Sequence, residues 1–294
     1  MGYGALLLAV ILFSTLEVSV KLMGGAIPPL RFASIRFILT GLLLLVPALR
    51  RLRLRVEPLG LADAGVLLGL GFVGVTLALS FYHTALQYLQ ANVGAIVFSA
   101  NPVFVALFAP LLLGERLNRW SFLAVALGVG GIFVLALSRG GGGGPGWIRG
   151  ILLMTGSQAT FALYSVLSRK YMPRYGALVI TSFAGLVGGA AILPLSWLVE
   201  GSPFVPLPPA AWGHLLYITV VATAIPYLLF FYGIVQTGAA RGSMFFFLKP
   251  VLASVFAYAV LRETLTPAMV AGAALVVGAL GLTVIPQTRI TIPD

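Results

Sequence analysis

The sequence contains no cysteine, which excludes disulfide scaffolds, thiolate metal centres and cysteine nucleophiles. It has only two histidines, His83 and His214, and seven acidic residues. Zinc and iron sites need about three or four such ligands converging, so neither a metal nor another cofactor is expected. Charged residues make up 9% of the 294 positions, against about 25% in ordinary soluble domains. That shortage excludes a secreted enzyme, a disordered regulator and a soluble nucleic-acid binder. What fills the chain instead is apolar: 60% of residues are hydrophobic, 35 are glycine, and the mean hydropathy is +1.07. Glycine is frequent in spanning helices, and the composition is that of an all-α polytopic membrane protein.

The 18 Lys and Arg against seven Asp and Glu give a net charge of +11. In a membrane protein this excess needs no anionic partner, because Lys and Arg collect in cytoplasmic loops during insertion. Runs of about 20 mostly apolar residues cross the hydrocarbon, and breaks at Pro, Gly and Arg clusters divide the chain into ten of them: 3–23, 30–49, 62–86, 91–113, 119–138, 148–168, 176–199, 210–235, 239–261 and 267–286. The loops are short, so any activity belongs inside the bundle. The first run has no basic region before it and carries Glu17 and Lys21 within it, which favours a retained helix over a signal peptide. A flexible Gly-rich tether at 140–146 separates a first five-helix half, 1–139, from a second, 147–294.

The halves repeat. A shift of 148 residues (250 minus 102) lays Ala91 on Ala239, Gly94 on Gly242, Phe98 on Phe246, Asn101 on Lys249, Pro102 on Pro250, Val103 on Val251 and Glu115 on Glu263, without a gap. Five spans per half is an odd number, so equivalent helices run in opposite directions. This is the inverted repeat of secondary transporters with alternating access. Placing both termini in the cytoplasm puts Arg50, Arg51, Arg53, Arg55, Arg116, Arg119, Arg169, Lys170, Arg174, Arg241 and Arg289 inside. Lys21, Arg31, Arg139, Arg149 and Arg262 fall outside, and Arg36 and Lys249 lie within spans. The charge distribution therefore places the chain in the cell (inner) membrane with cytoplasmic termini.

A polar side chain in hydrocarbon is costly unless it faces the bundle interior or a wet cavity. Ser14, Glu17 and Lys21 share one face of span one; Ser157, Thr160, Tyr164 and Ser168, with Gln158 nearby, do so on span six. Thr76, Ser80, His83 and Gln87, beside Tyr82, form a third stripe on span three. Competing readings remain open. Hydroxyls often bond their own helix, His83 could be satisfied by a backbone carbonyl, and Glu17 could simply pair with Lys21 one turn away. Asn101 and Lys249, each before a proline and near mid-span, approach the midplane from pseudosymmetric sides, and Ser99 lies two residues before Asn101. Proline removes a backbone donor and loosens the preceding turn, although such kinks also serve packing alone. Pro226, flanked by Thr223 and Tyr227, repeats the device on span eight. Arg36 can reach the interface with its stem and reads as structural, while Glu115 and Glu263 organise loops. Phe161, Tyr164, Tyr227, Phe230, Tyr232, Phe245 and Phe246 supply apolar walls for a pocket with a few polar anchors.

Arg36-Phe37, Ala85-Leu86-Gln87-Tyr88, Asn101-Pro102-Val103-Phe104 and Leu113-Gly114-Glu115, echoed by Lys249-Pro250-Val251 and Leu261-Arg262-Glu263, resemble the EamA-type drug/metabolite transporter superfamily. The resemblance covers essentially the whole chain. It implies a ten-helix basket around a central cavity and efflux of small metabolites or amino acids. Phe81-Tyr82-His83-Thr84-Ala85-Leu86 is similar to the YddG-type exporters of aromatic and other amino acids, which implies that Tyr82 and His83 face the cavity. Span one departs from the pattern, with Phe13-Ser14-Thr15 where a Trp-Gly pair is frequent.

These readings converge on an exporter of amino acids, aromatic ones included, with Lys249 meeting a substrate carboxylate. Tyr82, His83, Asn101 and Gln158 would serve the polar head, and any coupled proton would travel on His83 or Glu17. The expected substrate-binding set is Ser14, Glu17, Ser80, Tyr82, His83, Ser99, Asn101, Gln158, Tyr164, Tyr227, Phe245 and Lys249. A drug, nucleoside or other metabolite exporter is the alternative, although a lone midplane cation suits phosphate poorly. A membrane-embedded lipid enzyme would need a convergent catalytic set that the sequence does not contain. The expected partners are a small-molecule substrate and the lipid bilayer, with no nucleic acid and with a monomer compatible with the pattern.

Overall fold

The computed structural model describes residues 1–22, 27–54, 59–89, 97–115, 119–137, 145–201, 209–261 and 267–284, and among them every regular element is helical. Glu263 and the tether residues 140–144 lie outside the described residues, as do the side chains of Glu17 and Lys21.

The chain opens with α1 (Gly2–Ser14) and α2 (Leu16–Leu22), then α3 (Pro29–Arg53). α4 (Leu61–Gly71) runs through a π-helical stretch, Phe72–Leu77, into α5 (Ala78–Ala85), and α6 (Asn101–Leu113) and α7 (Arg119–Leu137) complete the first half. α8 (Trp147–Glu200) is 54 residues of helical hydrogen bonding broken at Gly176, where φ is 77° and ψ 159°. Only glycine enters that backbone region freely, so the two apolar runs expected at 148–168 and 176–199 meet there in a sharp corner. α9 (Pro209–Thr219) passes through a second π-helical stretch, Val220–Ala224, into α10 (Ile225–Thr237). α11 (Ala239–Ser243), a 3₁₀ turn at Met244–Phe247, α12 (Leu248–Leu261) and α13 (Pro267–Val284) finish the fold.

Six helical stretches among the described residues are long and apolar enough to cross a membrane. This multi-pass membrane protein thus shows fewer full-length crossings than the ten runs in the sequence, for structural reasons. α8 carries two runs in one stretch, and α6 (Asn101–Leu113) is a shorter apolar helix.

Small residues set the helix spacing. Without a hydrophobic driving force between spans, close backbone approach and interhelical hydrogen bonds hold membrane helices together. The second arm of α8 supplies both. A Cβ on Gly185 would lie 2.7 Å from the Phe37 carbonyl oxygen of α3, and one on Gly188 would lie 2.6 Å from the Gly71 carbonyl oxygen of α4. Hydroxyls then bridge the touching backbones: Ser34 donates to the Gly189 carbonyl at 2.7 Å, Ser182 to Gly41 at 2.9 Å, and Thr76 to Gly188 at 3.2 Å.

The three acids with described side chains all sit at helix ends. Glu200 accepts the backbone N–H groups of Leu30 and Arg31 at 2.7 and 2.9 Å, satisfying orphan donors at the start of α3. Asp63 accepts from Gly60 N–H, from both Nε and Nη2 of Arg174 and from the Tyr175 hydroxyl. Glu115 pairs with Arg169 and accepts the Ala239 and Ala240 amides that open α11.

Candidate functional site

Aromatic rings fill the middle of the bundle and come from seven of its segments. Phe13 of α1 meets Tyr227 of α10 edge-on at 5.3 Å and Phe246 of the 3₁₀ turn at 5.8 Å. Phe37 of α3 also meets Tyr227, at 5.7 Å, and Phe161 of α8 touches both Tyr227 and Phe246. Phe98, just before α6, contacts Phe161 and Phe246 and stands 5.4 Å from Tyr82 of α5. Edge-to-face pairs predominate, as the ring quadrupoles favour.

Lys249 enters this aromatic set. Its Nζ lies 4.3 Å from the Phe98 ring centroid, and the residue is 8% exposed. At that distance and burial the ring face stabilises the cation. The Lys249 carbonyl accepts from Ser14, whose hydroxyl also bonds Val10 of its own helix at 2.7 Å. Pro250 follows Lys249, and the turn before it is 3₁₀ rather than α. The equivalent Pro102 occupies the first turn of α6, where its missing N–H costs nothing. Both prolines therefore mark irregular backbone immediately ahead of them.

Polar acceptors are buried close by. Asn101 and Gln158 are fully buried; Asn101 donates to the Gln158 carbonyl at 3.4 Å, and Gln158 donates to the Ser157 hydroxyl at 3.4 Å. Asn101 Oδ1, Gln158 Oε1, Ser80 Oγ and His83 Nε2 have no hydrogen-bond partner among the described residues. His83 sits edge-on to Tyr82 at 5.1 Å. The Arg36 guanidinium lies over the Phe37 ring, 4.7 Å from its centroid.

Of the residues expected from sequence, Tyr82, Tyr227 and Lys249 take part in the aromatic contacts, with His83 against Tyr82, Tyr164 6.1 Å from Phe161 and Ser14 bonded to the Lys249 carbonyl, while Asn101 bonds the Gln158 carbonyl. Ser80 and Ser99 are buried on the same segments. Tyr164 packs by its ring against Gly74, where a Cβ would come within 2.2 Å. Phe245 points elsewhere, stacking on Tyr3 at 5.9 Å, while its neighbour Phe246 takes the central position. Phe98 was not among the expected site residues; its alignment with Phe246 in the repeat was the signal that could have found it. Tyr232 is 44% exposed on the outer surface.

The sequence profile of the EamA-like transporter family matches this chain twice, over residues 1–137 and 148–285. The chain belongs to the EamA-like transporter family. This EamA-like chain is 29% identical over 277 residues to an uncharacterized transporter of Clostridium kluyveri, covering 92% of this chain and 89% of the relative. It is 29% identical to the uncharacterized transporter YvbV of Bacillus subtilis over 85% of this chain and 80% of the relative. A protein of known crystal structure, 22% identical, superposes with a TM-score of 0.79 over 96% of both chains, so the EamA-like fold seen here matches one solved experimentally. The family is one of membrane transporters, and the relatives' names carry no substrate.

Proposed function

We propose that this transporter exports amino acids, aromatic ones among them, and related small metabolites across the inner membrane by alternating access of two inverted five-helix halves. The observation that carries the reading is Lys249, a buried cation against the face of Phe98 in an aromatic-walled interior. A substrate carboxylate pairs with that ammonium. The substrate ammonium donates to Asn101 Oδ1 and Gln158 Oε1, neutral acceptors without partners among the described residues. An aromatic or large aliphatic side chain then lies against Phe161, Tyr227 and Phe246, with Tyr82 and His83 closing the polar end.

Two further observations support the inverted-repeat part. Helical and π-helical starts at Leu61, Phe72 and Arg119 recur at Pro209, Val220 and Pro267, each 148 residues on (220 minus 72). π-Bulges are uncommon and cluster at functional sites, so their recurrence at equivalent positions favours two copies of one unit. Contacts of Arg51 with Gly176, Arg174 with Asp63 and Arg169 with Glu115 gather basic residues at one end, which supports cytoplasmic termini by the positive-inside rule.

Thermal unfolding of the purified protein with a panel of amino acids tests the binding half. A ligand at 100 times its Kd stabilises the folded state by about 2.7 kcal/mol. The reading expects aromatic amino acids to raise the midpoint and Lys249→Gln to abolish the rise. Stabilisation by drugs or nucleosides and by no amino acid would move the substrate to the metabolite class.

A further inference from the structure

Glu115 follows α6 and belongs to the first half, yet its carboxylate's partners among the described residues all come from the second. It pairs with Arg169 of α8 and accepts the Ala239 and Ala240 amides of α11 at 2.9 and 3.2 Å. Arg169 in turn donates through Nε to the Ile234 carbonyl near the end of α10, at 2.9 Å. One carboxylate and one guanidinium thus tie four segments together at a single end of the bundle. Gly238, at φ 95°, turns the chain between α10 and α11, and a Cβ there would stand 3.3 Å from Glu115 Oε2.

A cavity of about 380 Å³, bounded by Tyr3, Ser121, Gln236, Thr237 and Arg241, lies against this pair, with both Glu115 and Arg169 in its wall. Next to it, and sharing Ala240 with the cavity wall, lies an apolar cluster of Val105, Ala109, Ala162, Val166, Ala239 and Ala240, drawn from α6, α8 and α11, with Phe104, Phe108 and Leu113 packed against it. The charged pair and its amide bonds join the same three helices with charge-assisted hydrogen bonds, which are the stronger kind.

We propose that Glu115 and Arg169 form the latch that closes the Arg-rich end of the transporter, and that separating them opens a route from the 380 Å³ cavity toward the aromatic interior. The proposal rests on the transport reading for its purpose. Its test needs no substrate, so the two fail separately.

The chain has no cysteine, so a single one reports accessibility without a background. Ala109, fully buried in the apolar cluster, is replaced by Cys, and its alkylation by a membrane-impermeant maleimide is timed in inverted membrane vesicles, which present the cytoplasmic end. Alkylation is expected to be slow in Ala109→Cys alone and at least about tenfold faster when Glu115→Gln or Arg169→Gln is added. Adding Asp63→Asn, which breaks the separate contact with Arg174 and Tyr175, leaves it slow. Glu115→Asp, which keeps the charge and loses a methylene of reach, serves as the milder variant should the amides fail to fold, and gives an intermediate rate. Unchanged alkylation in the folded variants, or an equal rise with Asp63→Asn, overturns the latch.

Discussion

Gly188→Ala sets two physical effects against each other. Alanine is a better helix former than glycine by about 1 kcal/mol in a helix interior, so local propensity alone predicts a more stable protein. The packing predicts the reverse. A Cβ at 188 would lie 2.3 Å from Val75 Cβ and 2.6 Å from the Gly71 carbonyl oxygen, and the latter is backbone that no rotamer change can move. Relief requires α8 to withdraw from α4 and its π-helical extension by about an ångström, which stretches the Thr76 bond to the Gly188 carbonyl beyond its present 3.2 Å. Overpacking costs about 1–3 kcal/mol and the weakened bond about 1 kcal/mol. The net effect is a loss of about 2 kcal/mol, or roughly 3 °C in midpoint for a chain of 294 residues. The matched control is Gly65→Ala on α4, where a Cβ meets nothing within 4 Å and propensity acts alone. Both are read by heating the detergent-purified protein and following the folded peak on size exclusion. Equal midpoints for the two variants would show that the close approach of α8 and α4 does not hold the bundle together.

Two other substitutions separate roles in the same assay. Glu200→Gln removes the charge that accepts the Leu30 and Arg31 amides, and is expected to cost about 1 kcal/mol through the start of α3; an unchanged midpoint would remove Glu200 from the account of helix capping. Gln158→Leu replaces a buried amide whose oxygen has no partner among the described residues and whose nitrogen reaches only Ser157 at 3.4 Å. Loss of the long 3.4 Å bond to Ser157 is offset by removing a buried amide oxygen that costs free energy to desolvate, so the resting midpoint holds while stabilisation by amino acids falls. A large drop in the resting midpoint would instead make Gln158 a structural residue.

Much of the fold was legible because bilayer thickness imposes run length. The apolar run read at 62–86 is α4 to α5, Leu61–Ala85, and the run at 119–138 is α7, Arg119–Leu137. The corner at Gly176 was legible as a break between runs, but not as a residue inside one helical stretch. The π-helical stretches were invisible, because a bulge leaves the apolar pattern nearly intact. For the site, Lys249, Asn101 and His83 stood out because polar groups are expensive in hydrocarbon. Phe98 did not, since an aromatic ring facing lipid and one facing a cation read alike in sequence. Glu115 was read correctly as lying at a helix end, but its three partners come from α8 and α11, and no local pattern encodes a contact so distant along the chain.

The central claim is that a substrate is held at Lys249 and carried across the membrane. It is tested most directly by uptake of labelled amino acids into proteoliposomes by the intact protein, Lys249→Ala and His83→Ala. The account predicts saturable uptake of aromatic amino acids by the intact protein and its loss in Lys249→Ala at equal reconstitution, with His83→Ala impaired. Undiminished uptake by both variants, or no uptake of any amino acid by the intact protein, would contradict it.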